Sequence, residues 1–200
     1  MRIAIINNYV KDWDEKIGIL RKVISSIVSE LPIFINFQDV NRVKLLEYDA
    51  LILSGSQSSL SRRGTIDKYI NLISLIRDFN GPILGICFGH QLLGIAFGSR
   101  VLRLNKKFYG FYGIQLLEED NLFKGLPKNI IVFEAHSEIV RRVMPEFIHL
   151  AKSTFYEVEA VKHNLKPIYG VQFHPERYDS SNYHGRIILK NFFDIVKVGL

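Results

Sequence analysis

The one cysteine of this 200-residue chain sits in the run Pro82-Ile-Leu-Gly-Ile-Cys87-Phe-Gly-His-Gln91. An apolar stretch of β-strand character ends there and a helical pattern begins. Gly85 and Gly89 flank the cysteine at minus two and plus two, the arrangement of a nucleophile elbow with sulfur as the attacking atom. Such a turn holds a side chain up in the open and demands small neighbours, because backbone passes close by. It also places the sulfur at a helix N-terminus, where unpaired N–H groups favour the thiolate. The N–H of Phe88 would then donate to an oxyanion.

A thiol nucleophile needs a base, and histidine is the usual one. Of the six histidines, His90 is too near in sequence to fold back onto the sulfur, and His149 and His163 stand in ordinary surface contexts. His174 ends the strand-like run Pro167-Ile-Tyr-Gly-Val-Gln-Phe173 and precedes Pro175, which restrains its backbone to the extended region. Glu176 lies two residues on. In an extended segment it shares a side with His174 and can orient the imidazole, as the third member of a triad does.

The elements that must carry these residues alternate. Residues 3–6, 33–37, 50–53 and 83–86 read as strands. Apolar positions at helical spacing (Ile17, Leu20, Ile24, Ile27 and Val28) mark a helix after the first strand, and others predict helices over 66–79, 91–97 and 185–198. Between 100 and 172 the pattern shifts toward strands, at 100–104, 109–117, 130–134, 156–162 and 168–173. This predicts an α/β fold: an open, mostly parallel, flavodoxin-like sheet between two helical layers, with an antiparallel extension, in one domain over 1–200. Cys87, His174 and the loop 54–59 all fall at strand carboxyl ends, where open α/β sheets gather their sites.

Composition narrows the function. A net charge of +6 comes as scattered pairs (Arg62-Arg63, Lys106-Lys107, Arg141-Arg142) with no continuous basic stripe, so a solvated basic surface is expected and nucleic-acid binding is not. No apolar run approaches the roughly 18–20 residues that span a bilayer. The N-terminal apolar stretch is too short for a signal peptide, and a lone cysteine suits a reducing compartment, so a cytoplasmic protein is expected. One cysteine excludes a multi-cysteine zinc site. No metal and no cofactor is called for.

Gly85-Ile-Cys-Phe-Gly-His-Gln91 taken with Tyr169-Gly-Val-Gln-Phe-His-Pro-Glu176 resembles the class I, triad-type glutamine amidotransferases. The resemblance runs over essentially the whole chain; Ala50-Leu-Ile-Leu-Ser-Gly55 is similar to the family's oxyanion strand and loop. Leu122-Phe-Lys-Gly-Leu-Pro127 and the 168–176 run most resemble separate glutaminase subunits of archaeal GMP synthases. Asn8-Tyr9 is mildly similar to the anthranilate synthase glutaminase.

The resemblance implies that Cys87 attacks the side-chain amide of glutamine and that Gly55, Ser56 and Phe88 supply the oxyanion site. It implies that His174, oriented by Glu176, moves the protons, and that Gln91, Tyr109 and Gly110 help hold the substrate. Ammonia would pass to an ATP-using synthetase on a separate chain, since no ATP-binding glycine loop is present. The alternatives are the glutaminase component of anthranilate synthase or of another amination, a γ-glutamyl hydrolase on the same scaffold, and a catalytically weak regulatory relative.

Three places depart from the family pattern. Gly55-Ser56-Gln57 stands where Gly-Gly-Pro is usual. A serine in left-handed backbone there would be strained by roughly 1–2 kcal/mol, which predicts a poorly formed oxyanion loop in the isolated chain. Phe108 replaces a glutamate, and Phe133-Glu-Ala-His136-Ser-Glu138 stands for Trp-x-Ser-His-x-Asp.

Overall fold

A computed structural model describes residues 1–11, 13–29, 31–40 and 45–199. Its centre is a nine-stranded sheet. In chain order the strands are β1 (Ile3–Asn7), β2 (Ile33–Asn36), β3 (Ala50–Leu53), β4 (Ile83–Ile86), β5 (Val101–Leu116), β6 (Asn129–Val140), β7 (Phe147–Lys152), β8 (Ala160–His163) and β9 (Ile168–Val171). Across the sheet they run β2-β1-β3-β4-β9-β8-β7-β5-β6. The first five are mutually parallel; the β9–β8, β8–β7, β7–β5 and β5–β6 pairs are antiparallel.

Among the described residues four helices cover the faces: α1 (Trp13–Ser25), α2 (Ile70–Asp78), α3 (Phe88–Ala96) and α4 (His184–Val198). The period of two along each strand decides which helix it meets. Ile3 and Ile5 of β1 point to one face and pack with Ile17, Leu20 and Ile24 of α1 and with Ile188, Leu189, Phe192 and Phe193 of α4. Ala4 and Ile6 point to the other and pack with Ile73 and Ile76 of α2 and Leu92 and Leu93 of α3. Strands buried on both faces need no polar alternation, which is why β1, β3 and β4 read as unbroken apolar runs. Each fully buried side chain of the size of Phe192 contributes roughly 1.5–3 kcal/mol. Among the described residues no helix is long and apolar enough to cross a membrane.

The expected α/β architecture is the observed one, with differences at particular elements. The runs at 100–104 and 109–117 are a single strand, β5, whose ladder with β6 shifts register between Arg103 and Phe108. That bulge is the gap seen in the sequence pattern. Strand β6 extends well past residue 134. β7 has no counterpart among the expected strands: a second irregularity, between His149 and Ala151, breaks its alternation. The run at 156–162 enters the sheet only at Ala160. α3 starts at Phe88, directly after the cysteine, three residues earlier than its apolar periodicity indicates.

Candidate active site

The carboxyl ends of β1, β3, β4 and β9 stand side by side in the sheet, and each delivers a loop to one cleft of about 910 Å³. Tyr9 comes from the end of β1, Ser56–Ser59 from β3, Cys87, Phe88 and Gln91 from β4 and α3, and His174, Glu176 and Arg177 from β9. The long β5–β6 ribbon closes the cleft with Arg103, Tyr109, Phe133, His136 and Glu138.

Cys87 has φ 51° and ψ −100° and is the one non-glycine residue with positive φ among those described. Holding a residue with a Cβ there costs of order 1–3 kcal/mol, which the surroundings must offset. They do so by clamping the turn: the Cys87 N–H donates to the Val171 carbonyl at 2.8 Å, and the Cys87 carbonyl accepts from the Gln91 N–H at 3.0 Å. The flanking glycines are obligatory. A Cβ on Gly85 would lie 2.8 Å from the Gly89 carbonyl, and one on Gly89 would overlap the Leu53 carbonyl oxygen. Phe88 opens α3, so its N–H has no intrahelical acceptor.

His174 and Glu176 are both almost wholly buried, and His174 Nδ1 stands 2.7 Å from Glu176 Oε1. The Cys87 sulfur stands close enough to the imidazole to act on its charge. Burial alone would push the imidazolium's pKa down; the Glu176 carboxylate and the Cys87 sulfur outweigh it and hold the pKa at about 10. Burial pushes Glu176 up, and the His174 charge and hydrogen bond outweigh that, leaving it below the ordinary carboxylate value. The His174 N–H is pinned to the Phe133 carbonyl at 2.8 Å. The structure therefore brings Cys87, His174 and Glu176 into one contiguous chain of contacts.

Gly55 lies against this chain. A Cβ there would come within 2.9 Å of His174 Cε1 and 2.8 Å of the Tyr9 hydroxyl. Ser56 departs from expectation, because its backbone is not in the left-handed region. Its side chain ties the loop down instead, donating to the Asn8 carbonyl at 2.7 Å and accepting from the Ser58 N–H at 3.0 Å. The loop is held further on by Glu138. That carboxylate accepts from the Leu60 N–H at 2.9 Å, the Ser61 hydroxyl at 2.6 Å and the Ser59 hydroxyl.

Of the residues expected to hold substrate, Gln91 and Tyr109 line the cleft. Gln91 is buried, and its Nε2 donates to the Glu138 carbonyl at 2.8 Å and to Gln172 Oε1 at 3.3 Å. Gly110 does not line it. It sits at φ 126° opposite Glu134 in the ribbon, shaping the strand beside Tyr109. The His90 ring occupies the space over Gly170 and is fully buried. Burial lowers its pKa to about 3, so it stays neutral.

Sequence reasoning passed over Tyr9 and Gln172. Tyr9 is largely buried beside the site; burial, then the negative charge of Glu176 and Cys87, pushes its phenol pKa up, so it is a neutral hydroxyl. The signal that could have found it is its place just past the end of β1. The Gln172 amide donates toward the Cys87 sulfur at 3.7 Å, a contact that follows from β9 pairing with β4.

This geometry can be set beside known proteins. Residues 16–196 match the family model described as glutamine amidotransferase class-I. A glutamine-hydrolyzing GMP synthase subunit of Pyrococcus furiosus is 40% identical over 166 residues, covering 83% of this chain and 85% of that one. The protein of the same name from Methanosarcina mazei is 34% identical over 195 residues, 98% and 96% of the two chains. A crystal structure of a Thermoplasma acidophilum protein superposes with a TM-score of 0.86 at 27% identity, covering all of this chain and 95% of that one. With the family model matching nearly the whole length, and relatives this similar over most of both sequences, the chain belongs to the class-I glutamine amidotransferases.

Proposed function

We propose that this chain is the glutaminase subunit of a two-chain GMP synthase. A single domain would hydrolyse glutamine through Cys87, His174 and Glu176 and deliver ammonia to a separate ATP-using synthetase chain that aminates XMP. The observation that carries the chemistry is the buried 2.7 Å His174–Glu176 pair beside a cysteine on a positive-φ turn. The relatives' shared name, that of a glutamine-hydrolyzing GMP synthase subunit, supports the acceptor.

The sulfur of Cys87, its proton passed to His174, adds to the side-chain carbonyl carbon of glutamine. The oxygen takes up negative charge, which the Phe88 N–H and backbone donors of the Gly55–Ser56 loop stabilise. His174 gives its proton to the amide nitrogen, the C–N bond breaks, and ammonia leaves a glutamyl thioester. His174 then accepts a proton from water as that water attacks. Glutamate departs as His174 returns that proton to the sulfur, restoring the thiol. Glu176 keeps the imidazole oriented and favours its charged form between the two halves. Gln91 and Tyr109 bound the space for the substrate, with Gly110 shaping the strand that carries Tyr109.

The test is a coupled assay of this chain with the synthetase chain of an archaeal GMP synthase, supplied with glutamine, ATP and XMP. GMP and glutamate should form together. Glutamate without GMP would leave a glutaminase with another acceptor, and neither product would reject the reading.

A further inference from the structure

Beside His174 lies a second cluster of titratable side chains that glutamine hydrolysis does not call on. Glu134 and His136 project from the same face of β6. Tyr156, Ser153 and Glu159 come from the segment between β7 and β8, and His90 of α3 stands beside His136. Glu134 and Glu159 are each 1% exposed. Their carboxyls are within hydrogen-bonding reach of each other. The Tyr156 hydroxyl stands beside both, 2.8 Å from His136 Nε2, and His136 Nε2 is 3.0 Å from Glu134 Oε2. Yet no aligned donor serves either Glu134 oxygen or Oε2 of Glu159.

Two ionised carboxylates cannot sit in contact in such a place. No cation of the cluster neutralises them: burial, and then the His174 charge, outweigh the pull of Glu159 and hold His136 at about 4, so it is neutral. A proton on one carboxyl gives both the hydrogen bond they lack. Burial accordingly raises both acids, Glu134 to about 7.

The backbone shows what this contact joins. The Phe133 carbonyl, next to Glu134, accepts from the His174 N–H at 2.8 Å, and the Glu159 carbonyl accepts from the Gln172 N–H at 2.8 Å. The stretch 172–174 is thus gripped by two segments, and the side chains that meet belong to those segments. We propose that Glu134 and Glu159 are positioning residues: a proton shared between their carboxyls clamps the two segments that hold Gln172 and His174 against Cys87. Loss of that proton sets two buried carboxylates against each other and opens the clamp. This rests on His174 serving as acid and base, so the test includes a readout that does not need turnover.

The variants are Glu134→Gln, whose amide keeps a donor on Glu159 at every pH, and Glu134→Ala, which removes the contact. His174 is followed by NMR titration, and kcat and KM are measured across pH. In Glu134→Ala the His174 midpoint falls from about 10 toward its ordinary 6.5. Its kcat drops roughly 10- to 100-fold with KM little changed, the loss expected of a misplaced catalytic group. Glu134→Gln recovers both, and the alkaline limb of its kcat profile moves to higher pH than in wild type. Should Glu134→Ala fail to fold, Glu134→Gln decides alone by that limb. An unmoved limb, a His174 midpoint unchanged in Glu134→Ala, or a Glu134→Gln midpoint as low as that of Glu134→Ala would overturn the clamp. The last result would mean that only charge reaches His174. A moved midpoint in a protein that never turns over glutamine would uphold the clamp and sink the proposed function instead.

Discussion

Replacing Glu176 by glutamine preserves the shape of the His174 partner and removes its charge. His174 is almost fully buried, and its pKa stands at about 10 against an ordinary 6.5 because Glu176, and after it Cys87, outweigh burial. A rise of that size corresponds to an upper bound on the order of 5 kcal/mol in favour of the charged folded state. The sign follows from its direction. A histidine raised on folding stabilises fully below its unfolded pKa, and the contribution disappears as pH rises through the folded value. Glu176, lowered on folding, stabilises above its ordinary 4.5 and ceases to do so as pH falls through its folded pKa. Wild-type stability from this pair should therefore be greatest between about pH 4.5 and 6.5 and decline from there to about pH 10. At about 2–4 °C per kcal/mol for a chain of this size, the decline is at most roughly 10–20 °C in Tm. In Glu176→Gln it should shrink by about half or more, since Glu176 is the larger of the two charges acting on the imidazole. The His174 midpoint should drop by several pH units, and kcat by roughly 10²- to 10⁴-fold, as when the orienting acid of a triad is neutralised. Thermal melts from pH 5 to 10 with an NMR titration of His174 measure both. Matching alkaline slopes in the two proteins, with the His174 midpoint unmoved, would refute the reasoning.

Two further outcomes follow from the packing. Gly89→Ala drives a methyl group into Leu53 backbone; the variant should lose about 3 kcal/mol, seen as a fall of about 6–12 °C in Tm, because the obstacle is main chain that cannot swing aside. Glu138→Ala removes the acceptor for Leu60 and Ser61; amide exchange at Leu60 should quicken roughly 10- to 100-fold, reporting a loosened loop beside the cleft.

How much of this was legible in the sequence depended on whether a constraint was local. The elbow was legible because a strained strand-to-helix turn needs small residues at fixed offsets, and Gly85 and Gly89 supply them in sequence as they do in space. The parallel half of the sheet was legible because β1, β3 and β4 are buried on both faces. β7 was not, since its irregularity between His149 and Ala151 puts Leu150 and Ala151 both inside and destroys the period of two. Strain at Ser56 is an expectation by analogy with a glycine. Its hydroxyl finds the Asn8 carbonyl instead, a partner 48 residues away, and the backbone stays out of the left-handed region. The Glu134–Glu159 contact could not be read either. Nothing in either local pattern says that β6 and the segment before β8 meet beneath residues 172–174.

The central claim is that Cys87, delivered by the elbow and served by His174, attacks a glutamine side chain. Its most direct measurement is intact mass after incubation with a chloroketone analogue of glutamine, followed by peptide mapping. One adduct should form, on Cys87, blocked by excess glutamine and absent in Cys87→Ser. A folded wild-type protein that takes up no adduct, or takes it up equally in the presence of saturating glutamine, would contradict the account.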